Sequence, residues 1–158
     1  MSQDNSKIKT LRVTNAMLMP EIIRMIDAGH TVTLPLRGYS MRPFLEDGRD
    51  KALLSAVDRL SIGMPVLAET SPGHYVLHRI VGMDGERITL LGDGNITPEH
   101  CRLSDIKAVA VAFYRKGRTV PDRTDGRKWR TYSLLWTRLR PMRRYLLFIY
   151  RQFIKIMA

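Results

Sequence analysis

The chain is predicted to fold as a mainly β protein: a compact antiparallel domain preceded by one helix and followed by a basic helical extension. Three observations lead there. Between residues 30 and 114, short apolar runs alternate with clusters of turn-forming residues. The segment before them holds a single amphipathic stretch. Beyond residue 128 the apolar residues recur every three or four positions, the spacing of a helix face.

Residues 1–29 make the arm and helix. Residues 1–12 read as a loose arm, and Thr14 or Asn15 suits the N-cap of a helix that runs to about Asp27 and stops before Gly29. Met17, Ile22, Met25 and Ile26 give that helix an apolar side. One short helix is too little for a helix-turn-helix domain. Residues 30–114 form the β-domain. Val32, Leu34 and Leu36 alternate with polar or small residues, the pattern of a half-buried strand. Further strands are expected at 51–57, 64–69, 74–81, 87–91 and 107–114. They are separated by Glu46-Asp47-Gly48, Ser71-Pro72-Gly73, Asp84-Gly85 and Gly92-Asp93-Gly94-Asn95. Residues 115–128 are a basic connector containing Gly117, Pro121 and Gly126. In residues 129–158, Leu135, Leu139, Met142, Leu146, Ile149, Phe153 and Met157 trace one stripe, and Arg140, Arg144, Arg151 and Lys155 another. Pro141 interrupts the pattern and suits the first turn of a second helix.

Composition narrows the class. At 158 residues and 44% hydrophobic the chain suits one domain with a real core and is not disordered. Cys101 is the single cysteine, which excludes an intramolecular disulfide and a multi-cysteine zinc site and fits a reducing compartment. The first residues lack a basic start followed by an apolar run, and no stretch of about 18 apolar residues occurs. The expected location is therefore cytoplasmic, peripheral at the inner face of the membrane if the tail meets lipid. The net charge of +11 is confined to one end. Residues 1–114 hold thirteen basic and thirteen acidic side chains, whereas residues 115–158 hold thirteen basic ones against Asp122 and Asp125. Such a tail reads three ways: a stripe packed on the β-domain or on a second copy, an interfacial helix on anionic lipid, or a nucleic-acid surface. Self-packing (including a homo-oligomer) and the membrane surface rank together. Nucleic acid ranks well behind, because most of the aromatic residues fall in the apolar segment 145–153.

Chemistry points to Ser40 and His78. Ser40 follows the first predicted strand in Gly38-Tyr39-Ser40-Met41-Arg42-Pro43, on a turn at a strand end. A serine needs a neighbouring base to become a nucleophile, and histidine is the base suited to neutral pH. On its strand His78 shares a face with Val76 and Ile80, surroundings that desolvate it and keep it neutral. Each residue alone also has an ordinary reading, Ser40 as a turn residue and His78 as a core histidine bonded to a carbonyl. His74 and His78 lack a third ligand with convincing spacing, so neither metal nor cofactor is expected.

Taken in order, four boxes carry a resemblance: Gly38-Tyr39-Ser40-Met41-Arg42-Pro43-Phe44-Leu45, Gly63-Met64-Pro65-Val66-Leu67, His78-Arg79-Ile80-Val81-Gly82 and Gly92-Asp93-Gly94-Asn95. They resemble the successive boxes of the superfamily of type I signal peptidases and LexA-like self-cleaving repressors, over roughly residues 30–114. A histidine in the third of these stretches is similar to the Ser–His members of that superfamily, where others carry lysine. The resemblance implies a signal-peptidase/LexA-like β-domain and a serine endopeptidase that attacks through Ser40, with His78 as base and an acyl-enzyme intermediate. It also implies a peptide or protein substrate with small residues before the cut, leader-peptide processing being one such task. Asp93, or second Glu99, would orient the imidazole. Gly38, Tyr39 and Met41 would line the substrate and oxyanion site, with the backbone N–H of Ser40 as donor. Some relatives place a serine hydroxyl where this chain has Gly38, which leaves that role to backbone. Gly48-Arg49-Asp50 and Gly63-Met64 depart from the usual Gly-Asp, and the family's membrane span has no counterpart here. Two rivals use the same fold: a non-catalytic peptide-binding module and a LexA-like self-cleaving regulator.

Overall fold

A computed structural model of the chain describes residues 15–157. The expected arm over residues 1–12 and a Thr14 cap lie outside the described residues. Helix α1 spans Asn15–Asp27 and closes at Gly29, whose φ of +88° is open to glycine and strained for other residues. Its buried line is Met19, Ile22 and Ile26, while Met17 and Met25 face outward. The apolar side expected through Met17 and Met25 is thus rotated, because Met19 takes the inward place.

Eight strands follow: β1 Val32–Pro35, β2 Lys51–Ser55, β3 Pro65–Ser71, β4 His74–Asp84, β5 Arg87–Leu91, β6 Glu99–Arg102, β7 Ile106–Tyr114 and β8 Asp122–Arg123. They form one antiparallel sheet in the order β1-β2-β7-β3-β4-β5-β6, with β8 on β7. The protein is mainly β, as the alternation requires. Strands β6 and β8 were not expected: β6 buries only Cys101, and two-residue β8 lies inside the basic connector. Irregularities at Leu53/Leu54, Leu67/Ala68, Glu69/Ser71 and Ile80/Gly82 interrupt the ladders, and bulges of this kind bend and twist a sheet.

Central strands β3 and β7 are buried on both faces. Leu67, Ala108 and Ala110 face a core shared with α1, Leu36, Met41, Leu45, Phe113 and Trp129, whereas Val66, Ala68 and Val109 join Ile80, Ile88 and Leu90 on the other side. Full burial of each valine, leucine or isoleucine among them stabilises by about 1.5–3 kcal/mol.

The C-terminal extension comprises α2 (Arg127–Arg138), a 3-10 turn (Arg140–Met142) and α3 (Arg143–Met157). It docks with the face opposite to the expected stripe. Trp129 packs on Phe113 and Phe44, both with ring centroids 4.7 Å away, and Tyr132 stacks on Phe44 at 4.4 Å. Beneath them Arg79, fully buried, clamps Asp93 through Nε–Oδ1 (2.9 Å) and Nη2–Oδ2 (2.7 Å). Arg79 also donates to Ser133 Oγ and to the Gly63 carbonyl. The Tyr132 hydroxyl and the Trp136 indole N–H donate to Asp93 Oδ2 and its carbonyl, both at 3.1 Å. Trp129, Ser133, Arg143 and Leu147 are buried, while Leu135, Met142, Ile149, Phe153 and Met157 of the expected stripe remain exposed. The polar clamp, invisible to apolar periodicity, decides which face turns inward. Among the described residues no helix is long and apolar enough to cross a membrane.

Candidate active site

Ser40 lies in the connection between β1 and β2. The connection is held at its base by Leu36 N–H to the Asp50 carbonyl (2.9 Å) and Gly48 N–H to the Leu36 carbonyl (3.0 Å). Buried Asp50 accepts from the N–H groups of Glu46 (2.9 Å) and Lys116 (3.0 Å) and from Arg49. These donors hold its carboxyl below the usual range against the opposing effect of burial, the largest single influence. Bonds from Arg42 N–H to the Tyr39 carbonyl (3.2 Å) and Leu45 N–H to the Met41 carbonyl (3.0 Å) coil residues 39–45 into a turn that carries Ser40.

The loop after β5 meets that turn. Gly94 N–H donates to the Ser40 carbonyl at 2.7 Å. A methyl group on Gly92 would overlap the Ser40 carbonyl oxygen and stand 3.0 Å from His78 Nε2, and one on Gly94 would stand 2.6 Å from the Tyr39 carbonyl oxygen. The two glycines are therefore required for close approach of backbones and not for a left-handed φ. Gly92→Ala is expected to lower stability by about 1–3 kcal/mol, the usual effect of overpacking, because the Ser40 turn must move away. Chemical denaturation checks it, and an unchanged midpoint would show that the two loops separate freely.

His78, 3% exposed, pairs with Val66 across β3. Its Nε2 edge faces Gly92 and the Ser40 turn, and its Nδ1 lies 2.9 Å from Glu99 Oε2 at the start of β6. That contact has the length of a hydrogen bond without its alignment. Glu99 is part-exposed, so its carboxylate is freer to turn than the buried imidazole. Burial pushes the imidazole pKa below its ordinary value, and Glu99 opposes the shift. The hydroxyl–imidazole hydrogen bonds among the described residues join Thr70 to His74 (2.9 Å) and Thr89 to His100 (3.2 Å), not Ser40 to His78. Ser40 and His78 instead line one cavity of about 310 Å³ with Glu99, Asn95, Met41 and the β4 segment from His74 onward.

The other expected residues distribute unevenly. Asp93, placed first as the orienting acid, is fully buried with both carboxylate oxygens on Arg79, whereas Glu99, placed second, is the carboxylate beside the imidazole. Gly38 has φ +85° and its N–H donates to Asp47 Oδ1 at 2.7 Å, which commits it and removes it as an oxyanion donor. Ser40 N–H carries no hydrogen bond among the described residues. Met41 lines the cavity and enters the core, whereas Tyr39 points outward with the Arg42 guanidinium 4.0 Å over its ring. Asn95 was not singled out, although it closes the Gly-Asp-Gly-Asn box; its amide lines the cavity beside His78 and offers a neutral donor. Arg143 was missed too. It is buried under the same loop, with Nη1 at 3.5 Å from the Gly92 carbonyl and Nη2 at 3.2 Å from the Trp136 carbonyl. Nothing in the periodicity marks an arginine as an inward residue.

Among the described residues no group of three His, Cys, Asp or Glu side chains is arranged to hold a metal ion. Cys101 is buried and its thiol is pushed to higher pKa by burial, the opposite of an activated nucleophile. No protein-family model matches the chain, and no curated protein matches it.

Proposed function

We propose that the protein is a serine endopeptidase in which Ser40 is the nucleophile, His78 the general base and Glu99 the residue that orients the imidazole. The observation that carries this reading is the disposition of the two ring nitrogens: Nδ1 against a carboxylate, Nε2 toward the serine turn. In the proposed reaction Ser40 Oγ attacks a peptide carbonyl while its proton passes to His78 Nε2. The tetrahedral oxyanion takes the Ser40 N–H and the Asn95 amide as donors. Collapse expels the amine, which receives the proton from His78, and water repeats the sequence on the acyl-enzyme. The hydroxyl–imidazole bond forms when substrate closes the cavity, as catalytic hydrogen bonds often tighten only in the complex.

The substrate enters as an extended strand. Strand β5 pairs with β4 only over residues 79–84, so among the described residues one edge of β4 is open from His74 to His78, along the cavity wall. An open edge supplies backbone donors and acceptors for strand addition. Leu36, Met41, Leu45 and Val76 make the pocket wall apolar, and its size suits small side chains before the cut. Trimming a leader from a peptide or protein is the task that fits such a site.

The test is pH-dependent cleavage of a peptide library, read by mass spectrometry. The base works unprotonated, and burial lowers the His78 pKa from 6.5. Activity is therefore expected to be full at pH 7 and to fall on acidification with a midpoint below 6.5. A midpoint above that value would assign another base. One observation favours a second reading, a peptide-binding module that does not cut: Ser40 and His78 are not hydrogen-bonded. Peptide binding without Ser40-dependent products would select it.

A further inference from the structure

The C-terminal extension leaves a surface that the peptidase reading does not use. Of the eighteen large hydrophobic side chains exposed in the described residues, nine fall between Leu134 and Met157, with exposures from 55% to 83%. Scattered apolar residues are ordinary on a surface, but half of them gathered on two short helices is a patch. On α3 the inward face is taken by Arg143 and Leu147. Steps of four and seven place Tyr145, Ile149, Phe153 and Ile156 along the opposite face, and the same steps place Arg144, Arg151 and Lys155 in a row beside them.

We propose that this ridge is an interfacial docking surface for an anionic lipid bilayer, with α3 lying in the plane of the headgroups. Charge complementarity selects the occupant. Residues 127–157 hold no acidic side chain, and the two in the connector before them are already neutralised, Asp122 by Arg115 (2.6 Å) and Lys128 (3.0 Å), and Asp125 by Arg123 (2.7 Å). Arg144, Arg151 and Lys155 have no carboxylate partner among the described residues, so the apolar ridge is bordered by uncompensated positive charge. Apolar ridge and basic border together match acyl chains below anionic headgroups. A second copy meeting ridge to ridge would bring two basic rows together with no acid between them. The segment before the described residues carries Lys7, Lys9 and Arg12 against Asp4, a net charge of the same sign as the ridge's basic border. Nucleic acid fits less well: of the exposed rings Phe148 alone stands in the row of Arg144, Arg151 and Lys155, Tyr145 and Phe153 lie in the ridge with Ile149 and Ile156, and Trp129, Tyr132 and Trp136 are used in docking α2.

The experiment is flotation of the full chain with phosphatidylcholine vesicles, with and without phosphatidylglycerol. Binding is expected only with the anionic lipid and is expected to weaken as salt rises. Ile149→Ser combined with Phe153→Ser should lower bound protein roughly tenfold without changing the thermal midpoint, since both side chains are exposed. Arg144→Gln combined with Arg151→Gln should remove the preference for anionic vesicles. No binding, or equal binding to both vesicles, overturns the proposal. So does a wild-type dimer in sedimentation velocity that the Ile149/Phe153 variant converts to monomer, which would assign the ridge to a second copy. The readout needs no cleavage assay, so it stands or falls apart from the peptidase reading.

Discussion

Replacing Ser40 with alanine is expected to abolish reaction with a fluorophosphonate and to lower peptide cleavage by at least about a thousandfold, as loss of a nucleophile does in acting-as-a-unit catalytic groups. The wild-type chain should gain one covalent adduct, mapped to Ser40 by tandem mass spectrometry. His78→Ala should reduce labelling to a similar degree, and the double substitution should cost little more than either alone, because in the proposed reaction Oγ and imidazole act in one step. The structure makes this a clean substitution. Ser40 holds its turn through its backbone carbonyl, bonded to Gly94 N–H at 2.7 Å, and alanine preserves that bond. An unchanged melting curve should therefore accompany lost reactivity. A wild-type serine that never labels, with peptide affinity equal in Ser40→Ala, would move the protein to the binding-module reading. Intact mass after long incubation addresses self-cleavage at the same time: a Ser40-dependent truncation would point to the self-cleaving regulator.

The second large effect concerns Asp93 and separates two acids that look interchangeable in the sequence. Asp93→Ala leaves Arg79 fully buried with its main counter-charge gone and removes the acceptor for Tyr132. Removing one partner of a buried pair costs about 3–5 kcal/mol, a large fraction of the 5–15 kcal/mol typical of a domain. Urea denaturation is expected to show that loss, with α2 detaching as the clamp opens. Glu99→Gln should behave in the opposite way. The residue is part-exposed and its partner is an imidazole, so stability changes by less than about 1 kcal/mol. Cleavage, in contrast, should fall because the amide no longer supports the imidazolium formed during proton transfer. Equal stability of Asp93→Ala and wild type would remove the structural role assigned to the clamp. A large stability loss in Glu99→Gln with unchanged turnover would remove the orienting role.

Strand positions were legible because burial on one face forces alternation. Val32 and Leu34, Ala52 and Leu54, and Ile88 and Leu90 each repeat at two residues, and each pair lies in an observed strand. Strand β6 escaped because Glu99, His100 and Arg102 surround one buried side chain, too little to register as a pattern. Ser40 and His78 were legible as types with known chemistry, and the structure places both on one cavity. The choice between Asp93 and Glu99 was not legible. Both follow β5 within a few residues, and only the side on which Arg79 enters separates a carboxylate consumed in the core from one left at the imidazole.

The extension shows the same division. Its helical spacing, its charge and the break at Pro141 are local properties and could be read along the chain. Which face turns inward was decided by tertiary structure. Hydrophobic periodicity favours the side with most apolar residues, yet the docked side carries Trp129, Tyr132, Ser133 and Arg143, because the β-domain offers an aromatic groove and a buried ion pair in need of donors. Alternation, turn chemistry and charge distribution thus belong to the sequence, since each depends on neighbours along the chain. The partner of each buried charge, and with it the carboxylate left beside the imidazole and the exposed ridge, belongs to the fold, since burial brings together groups that no spacing connects.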